Sequence, residues 1–386
     1  MPDTTAGAAG PRAARAPAAA SPPELPPFGR FFLPGPTEIR PEVLWAQVGP
    51  MIGHRGPDLQ QLMARIQPDL RAIFRTRRPV YVSASSATGL MEAAVRNGVR
   101  RRVLSLVNGA FSERFFRIAR ACGFEADALE VPWGGVNLPE ALEAALKRKA
   151  YDAVTVVHSE TSTGVLNPVR ELAEVAHAAG DVALLVDAVS SLGGAPVETD
   201  AWGLDFVLTG SQKALALPPG LAFGVAQEHL LRRAEARPDR GIYFDFLEFE
   251  RNLEKGETPN TPAVSLLYAL EAQLGRIRAE TLEARIARHR AMAERTWAWV
   301  EEMRATGVPL EILAPEGYRS PTVTTIRVPP GWTGPTLAAA LRERGWTIAT
   351  GYGKLREETF RIGHMGDHTV DELDELLAVL GEVLRR

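Results

Sequence analysis

Three places in the chain put a chemically capable residue where a fold could expose it. Lys213 lies in "TGSQKALALPPG", followed by seven residues without a single charge. Burying an ammonium is costly unless it is paired or gives up its proton, so a lysine there calls for a reason. Asp187 closes the apolar run "LLVD", 26 residues before Lys213. Thr88 follows the polar stretch "SASSAT", where a strand gives way to a helix and backbone N–H groups would suit a phosphate. Taken singly, each also has an ordinary reading. A lysine can snorkel to a rim, an aspartate can cap a tight turn, and a threonine can begin a helix.

The elements around these residues alternate. "PVYVSAS", "RVLSLVN", "EADALEV", "DAVTVVHS", "ALLVDAV", "DFVLTG" and "LAFGVAQ" read as strands. Between the earlier ones lie helical stretches such as "GLMEAAVRN", "SERFFRIARAC", "LPEALEAALKRK" and "VRELAEVAHAAG". Short apolar strands alternating with helices of period 3.6 predict an α/β fold, a mostly parallel sheet covered on both faces. Ligands in such sheets sit at the carboxyl ends of the strands, where Asp187 and Thr88 fall. After about residue 262 a long helical region, broken once, precedes a smaller α+β domain with strands in "TVTTIRV", "WTIATGY" and "TFRIGHM". The expected organisation is an Ala/Pro-rich disordered tail over residues 1–27, a large domain with an N-terminal arm over 28–261, and a small domain over 262–386.

Composition narrows the function classes. The 386 residues carry a formal net charge of -3, which offers no general attraction to nucleic acid or an anionic membrane. No apolar run approaches a membrane span. One cysteine, Cys122, leaves no internal disulfide framework and fits a reducing, cytoplasmic setting. The lysines are Lys147, Lys149, Lys213, Lys255 and Lys354, and only Lys213 has apolar surroundings. There is no P-loop, no GxGxxG after the first strand, no CxxC and no HExxH. His364 and His368 are four apart, but Gly366 interrupts any helix between them, so no metal is expected there.

One molecule satisfies all three positions: pyridoxal phosphate. Its phosphate suits a helix start, its ring nitrogen suits a carboxylate, and its aldehyde suits an amine that sheds charge as a Schiff base. The motifs "LPGPTEIRPEVL", "GHRGPDL", "SASSATGLMEAA", "VNGAFSERF", "HSETSTGVLNPV", "TGSQKALALPPGLAF" and "TPNTPAVSLLYAL", in that order, resemble the class V pyridoxal phosphate aminotransferases. The resemblance spans roughly residues 30–386 and is to the alanine–glyoxylate and serine–pyruvate group. It implies a fold-type I enzyme that moves the amino group of alanine or serine to glyoxylate or pyruvate by a ping-pong route, with aspartate or phosphoserine as alternative donors. It implies that Lys213 is the catalytic lysine, Asp187 the partner of the ring nitrogen, and Gln212 a group near the phosphate. Ser86, Ala87 and Thr88 would contact the phosphate, Phe111 would stack on the ring, and Thr161 would touch the cofactor or substrate. Arg361 would clamp the substrate carboxylate, with a strand-edge arginine like Arg327 as the plainer reading, and Gly35 would line the pocket. Asn260 and Thr261 would reach the phosphate of a second subunit, making a homodimer. Arg55, beside His54, is the one candidate for a second cationic contact.

Overall fold

The computed structural model describes residues 27–385; residues 1–26, nearly all of the expected tail, lie outside them. Among the described residues the strands are β1 (Phe31–Phe32), β2 (Tyr81–Ser83), β3 (Arg102–Val107), β4 (Glu125–Glu130), β5 (Ala153–Val157), β6 (Ser159–Glu160), β7 (Val165–Leu166), β8 (Ala183–Asp187), β9 (Phe206–Gly210), β10 (Ala222–Ala226), β11 (Glu311–Ile312), β12 (Thr324–Arg327), β13 (Thr347–Thr350) and β14 (Thr359–Ile362). Seven of them form one sheet in the order β2-β10-β9-β8-β5-β3-β4. Strands β4, β3, β5, β8 and β9 are parallel, and β10 runs against both β9 and β2. The alternating text therefore folds as expected, an α/β sheet with its apolar strands buried.

The register places the chemistry. Val157, Asp187 and Leu208 are neighbours across β5, β8 and β9, so Asp187 stands at the carboxyl end of a central strand. Two apolar clusters cover the two faces of this sheet. One includes Leu104, Val154, Leu184 and Val207; the other includes Val103, Ala153, Leu185 and Phe206. Successive side chains of a strand enter opposite clusters, as the period of two requires. The exception is β4, an edge strand of sequence "EADALE" that is only partly buried.

A second sheet has the order β1-β13-β14-β12-β11, with β1 parallel to β13 and the other pairs antiparallel. Its core holds Phe32, Val300, Ile326, Phe360 and Leu377. The long helical region divides into Val264–Glu280 and Leu282–Ala305. The break is Thr281, whose φ of 71° leaves the helix path while its side chain accepts a hydrogen bond from Ala284 N–H at 3.2 Å. The segment "FFLPGPTEIRP" opens with a short strand and continues as loop to the helix at Pro41. Phe31 and Phe32 pair with Thr347 and Ile348, because Phe32 is fully buried in the small core and carries the chain with it.

Candidate functional site

Lys213 sits in the turn after β9, held by Ala216 N–H to Lys213 C=O at 2.8 Å and Leu217 N–H to Ser211 C=O at 3.1 Å. Its side chain is 6% exposed, so it does not snorkel to a rim. Nζ donates to the Pro34 carbonyl, which the N-terminal segment brings over from the small sheet. A Cβ at Gly35 would lie 2.4 Å from Lys213 Cδ, and the residue has φ +108°, so both space and backbone require glycine. Burial lowers the amine to about 7, the Arg361 charge adds to the fall, and Asp187 and Glu160 oppose it.

Asp187 is 3% exposed and accepts one hydrogen bond, from Val189 N–H at 2.8 Å. Burial pushes its carboxyl up to about 7; the Val189 N–H resists, Glu160 adds, and Lys213 and Arg114 resist. The amine and the carboxyl feel each other's charge, yet no hydrogen bond joins them among the described residues. A buried pair left apart in this way favours neutral forms of both groups.

The helix Ala87–Gly98 starts beside them. Its N-cap is Ser86, two residues earlier than the Thr88 reading, and Ser86 gives no side-chain cap. Gly89 N–H turns back to Ser86 C=O at 2.9 Å, and the Ala87 and Thr88 N–H groups are left for another acceptor. A second helix, Ala110–Ala121, carries Phe111, whose ring centroid lies 5.6 Å from Lys213 Nζ. The start of this helix rests on Glu160. That carboxylate, fully buried, accepts from Phe111 N–H at 3.2 Å, Ser112 N–H at 2.9 Å, Ser112 Oγ at 3.0 Å and Ser162 Oγ at 2.6 Å.

Thr161 and Arg361 complete the group. Thr161 Oγ1 lies 2.6 Å from Ser190 Oγ. Arg361, central in β14 and 7% exposed, donates from Nη1 to Thr161 C=O at 3.2 Å and from Nε to Thr350 C=O at 3.0 Å. No carboxylate pairs with it among the described residues. Burial lowers its guanidinium to about 10, against the pull of Tyr352 and Glu160. Arg327 on β12 differs: it is half-buried and pairs with Glu311 and Glu358.

The structure thus gathers Lys213, Asp187, Phe111, Thr161, Arg361 and Gly35 at the carboxyl ends of the central strands of the large sheet, with Ser86, Ala87 and Thr88 at the adjoining helix start. Gln212 gives its carbonyl to Thr37 N–H at 2.9 Å, while its side chain lies over Gly210. Asn260 and Thr261 are exposed and line a cleft with Ser83, Ala84 and Leu221, apart from Lys213. Arg55 is already engaged: it donates to Glu257, to Thr258 C=O at 2.7 Å and to Pro259 C=O at 3.1 Å. His364 and His368 are buried in the loop after β14; His364 Nε2 meets Thr324 Oγ1 at 2.8 Å and His368 Nε2 meets Phe31 C=O at 3.1 Å. Three further residues escaped the reading of the residues. Glu160 stands inside "HSETSTGVLNPV" and Arg114 inside "VNGAFSERF", both quoted motifs, but nothing in the spacing marks them. Tyr352, in the loop after β13, has no such signal.

Comparison with known proteins agrees with this geometry. Residues 52–354 match the family model for class-V aminotransferases. The chain belongs to that family. It is 40% identical over 304 residues to an uncharacterized aminotransferase of Methanocaldococcus jannaschii, covering 77% of each chain. It is 33% identical over 369 residues to a serine–glyoxylate aminotransferase of Methylorubrum extorquens, covering 92% of this chain and 90% of that one. The crystal structure of an alanine–glyoxylate aminotransferase from Nostoc sp. superposes with a TM-score of 0.87 at 31% identity, over 95% and 98% of the two chains. The protein is a transaminase of fold-type I, and its cofactor is pyridoxal phosphate. The residues present fit that group. The amine sheds its charge near neutral pH, Asp187 engages a single hydrogen bond, the helix at Ser86 is uncapped, and Phe111 offers a ring face.

Proposed function

We propose that this transaminase takes the amino group of a small amino acid, alanine or serine, and passes it to glyoxylate or pyruvate in two half-reactions on one site. The observation that carries the reading is Arg361: a buried guanidinium with carbonyl partners only, next to the residue that follows Glu160 and in electrostatic reach of Lys213. A planar, permanently charged fork in a dry pocket recognises one α-carboxylate in bidentate fashion. The names of the serine–glyoxylate and alanine–glyoxylate relatives support small donors and a glyoxylate acceptor.

When bound, pyridoxal phosphate supplies an aldehyde that carries the amino group and an electron-poor ring that takes up charge from the substrate Cα. The chain does the rest. Lys213 holds the cofactor and, once free, takes the proton from the substrate Cα as general base; an amine lowered to about 7 is matched to that task. Asp187 holds the ring nitrogen, Phe111 the ring face, and the first-turn N–H groups at Ser86, Ala87 and Thr88 the phosphate, with Gln212 nearby. Thr161 faces the same space, and Arg361 orients the substrate so that its Cα proton points to Nζ. Glu160 ties the start of the Phe111 helix to Ser162, the residue after Thr161.

A homodimer, with Asn260 and Thr261 reaching a second subunit's phosphate, belongs to the same reading. The exposed apolar side chains Val48 (74%), Met51 (78%) and Ile242 (79%) support a covered face. A reducing, cytoplasmic compartment suits the one cysteine, Cys122.

The test is the visible absorption of the purified holoenzyme as alanine, serine, aspartate and phosphoserine are added one at a time without an oxo acid. Alanine or serine should bleach the cofactor band and release the corresponding oxo acid. Lys213→Ala should lose turnover by roughly 10³-fold or more. A band that no amino acid changes, or a Lys213→Ala enzyme with normal turnover, would overturn the assignment.

A further inference from the structure

The buried carboxylate at the start of the Phe111 helix has no cation. Glu160 is 0% exposed, and no arginine, lysine or histidine pairs with it among the described residues. Its oxygens meet donors instead: the N–H groups of Phe111, Ser112 and Ser162 and the hydroxyls of Ser112 and Ser162. A carboxylate, acceptor only, matches every one of them. Room is made for it as well. A Cβ on Gly109 would lie 2.4 Å from Glu160 Cγ and 2.5 Å from Cδ, so only glycine leaves the carboxylate its seat. Capping a helix start does not need a charge, since serine or asparagine does it with a neutral side chain. A buried charge costs more than a neutral cap, so the charge calls for a reason of its own.

The reason lies in what Glu160 adjoins. Phe111, whose N–H it accepts, carries the ring that Lys213 Nζ approaches at 5.6 Å. Thr161, the next residue, gives its carbonyl to Arg361. The carboxylate therefore stands one hydrogen bond from the wall of the amine and one residue from the partner of the guanidinium. Burial lowers the Lys213 amine most. Arg361 on β14 adds to the fall, as does Arg114 on the Phe111 helix, whose Nη2 donates to Tyr352 OH at 3.3 Å; Asp187 on β8 and Glu160 on β6 oppose it. Asp187 is a poor lasting counter-charge. Burial pushes its carboxyl up to about 7, and in the transaminase reading the ring nitrogen claims it. Glu160 has no second claimant.

We propose that Glu160 is a positioning residue that acts through its charge: a fixed anion in the wall that offsets Lys213 and Arg361 together, so that Lys213 can return a proton as well as take one. The inference rests on the transaminase reading and adds to it a residue that touches neither cofactor nor substrate. In that reading Nζ takes the proton from the substrate Cα and hands the same proton to the cofactor's aldehyde carbon. An amine surrounded only by cations would take a proton poorly, and one with its own ion pair would not let it go. An anion held at one remove by five donors lies between those extremes.

The test pairs two variants of the full chain. Glu160→Gln keeps the shape and drops the charge; Glu160→Asp keeps the charge on a shorter arm. In the cofactor-free proteins the rate of pyridoxal phosphate uptake at about pH 6 is divided by the rate at about pH 9, which cancels any loss common to both. Removing an anion favours the neutral amine, the form that reacts. The ratio should therefore rise roughly three- to tenfold in Glu160→Gln and stay within about twofold of wild type in Glu160→Asp. The same ratio for acetylation of Lys213 by acetic anhydride, located by mass spectrometry, should move alike without involving the cofactor. A glutamine variant with the wild-type ratio and merely slower uptake at every pH would make Glu160 a neutral support for the helix and overturn the proposal. A ratio that rises as far in the aspartate variant would overturn it too. If wild type takes up no pyridoxal phosphate while the acetylation ratio still shifts, the transaminase reading falls and the hold of Glu160 on the amine stands. One readout does without the glutamine chain, in case that chain fails to fold. In the native cofactor-free protein the infrared band of the Glu160 carboxylate, assigned by its displacement in Glu160→Asp, should stay unchanged across the same pH range. A band that titrates within it would sink the idea of a fixed anion.

Discussion

Two regions bury charge, and they do it in opposite ways. Behind the site, Arg285 meets Asp367 at 2.8 Å with both side chains almost fully buried. Gln273 adds a hydrogen bond to Asp367 at 3.0 Å, and Arg285 also reaches Glu280 and the carbonyl of Ala214. Burial there pushes the Asp367 carboxyl up, but Arg285, Gln273 and Arg276 outweigh it and hold it below its ordinary range. At the site, Asp187 is as deeply buried but has one backbone N–H, and burial wins. The paired cluster is finished by the fold. The site is left electrostatically incomplete, which destabilises the protein without its cofactor and gives the cofactor its grip.

The contrast can be broken from either side. The largest stability effect is expected at the finished cluster: Arg285→Leu removes the nearest charge partner of Asp367, leaving Gln273 and the more distant Arg276 at 3.6 Å, and should cost about 3 kcal/mol in urea unfolding. It should also loosen the Lys213 turn, because Arg285 Nη2 holds Ala214 C=O at 2.7 Å. Asp187→Asn should have the opposite sign in the cofactor-free protein. Unfolded, the carboxyl ionises near 3.8; folded, it does so at about 7. Between those values the native state keeps a proton that the unfolded chain has lost, so stability from this group falls as pH rises through the window and is lowest above it. The asparagine variant should be more stable by on the order of 3 kcal/mol at pH 8, with the gain vanishing as pH falls toward 4, while retention of the cofactor drops. Thermal melts of both proteins across that range check the sign.

The smallest effect sharpens the comparison. Gly35→Ala adds one methyl where Lys213 runs and strains a backbone at φ +108°. Unfolding free energy should fall by about 1–2 kcal/mol, and uptake of pyridoxal phosphate by the cofactor-free protein should slow, as stopped-flow absorbance would record. In the unaltered protein that uptake should speed up as pH rises through about 7, where the Lys213 amine loses its proton.

The fold was legible because its signal is periodic. Apolar strands such as "ALLVD" and "DFVLTG" can only be buried on both faces, and the helices between them repeat every 3.6 residues. Lys213 and Asp187 were legible because charge in apolar text is costly. Ser86 against Thr88 as helix cap was not resolved, since both are good capping types and the boundary lies within two residues. Arg114 and Glu160 look, in sequence, like polar positions of a helix and a loop. Their meaning comes from neighbours at positions 352 and 111, contacts that no local pattern encodes. Arg55 failed for the complementary reason: its partners at Glu257, Thr258 and Pro259 lie about 200 residues away in the chain.

The strand at Phe31–Phe32 has a consequence of a metrical kind. Phe32 C=O accepts from Gly363 N–H at 2.8 Å, two residues after Arg361; Pro34 C=O accepts from Lys213; and Thr37 N–H donates to Gln212 C=O at 2.9 Å. Six residues of chain, bent at Pro34–Pro36, thus touch the Arg361 strand at one end and the lysine turn at the other. They act as a gauge between the two sheets, fixing how far the amine stands from the guanidinium. Surface loops elsewhere are free to lengthen or shorten without disturbing that span, whereas a single residue added between Phe32 and Thr37 would reset it.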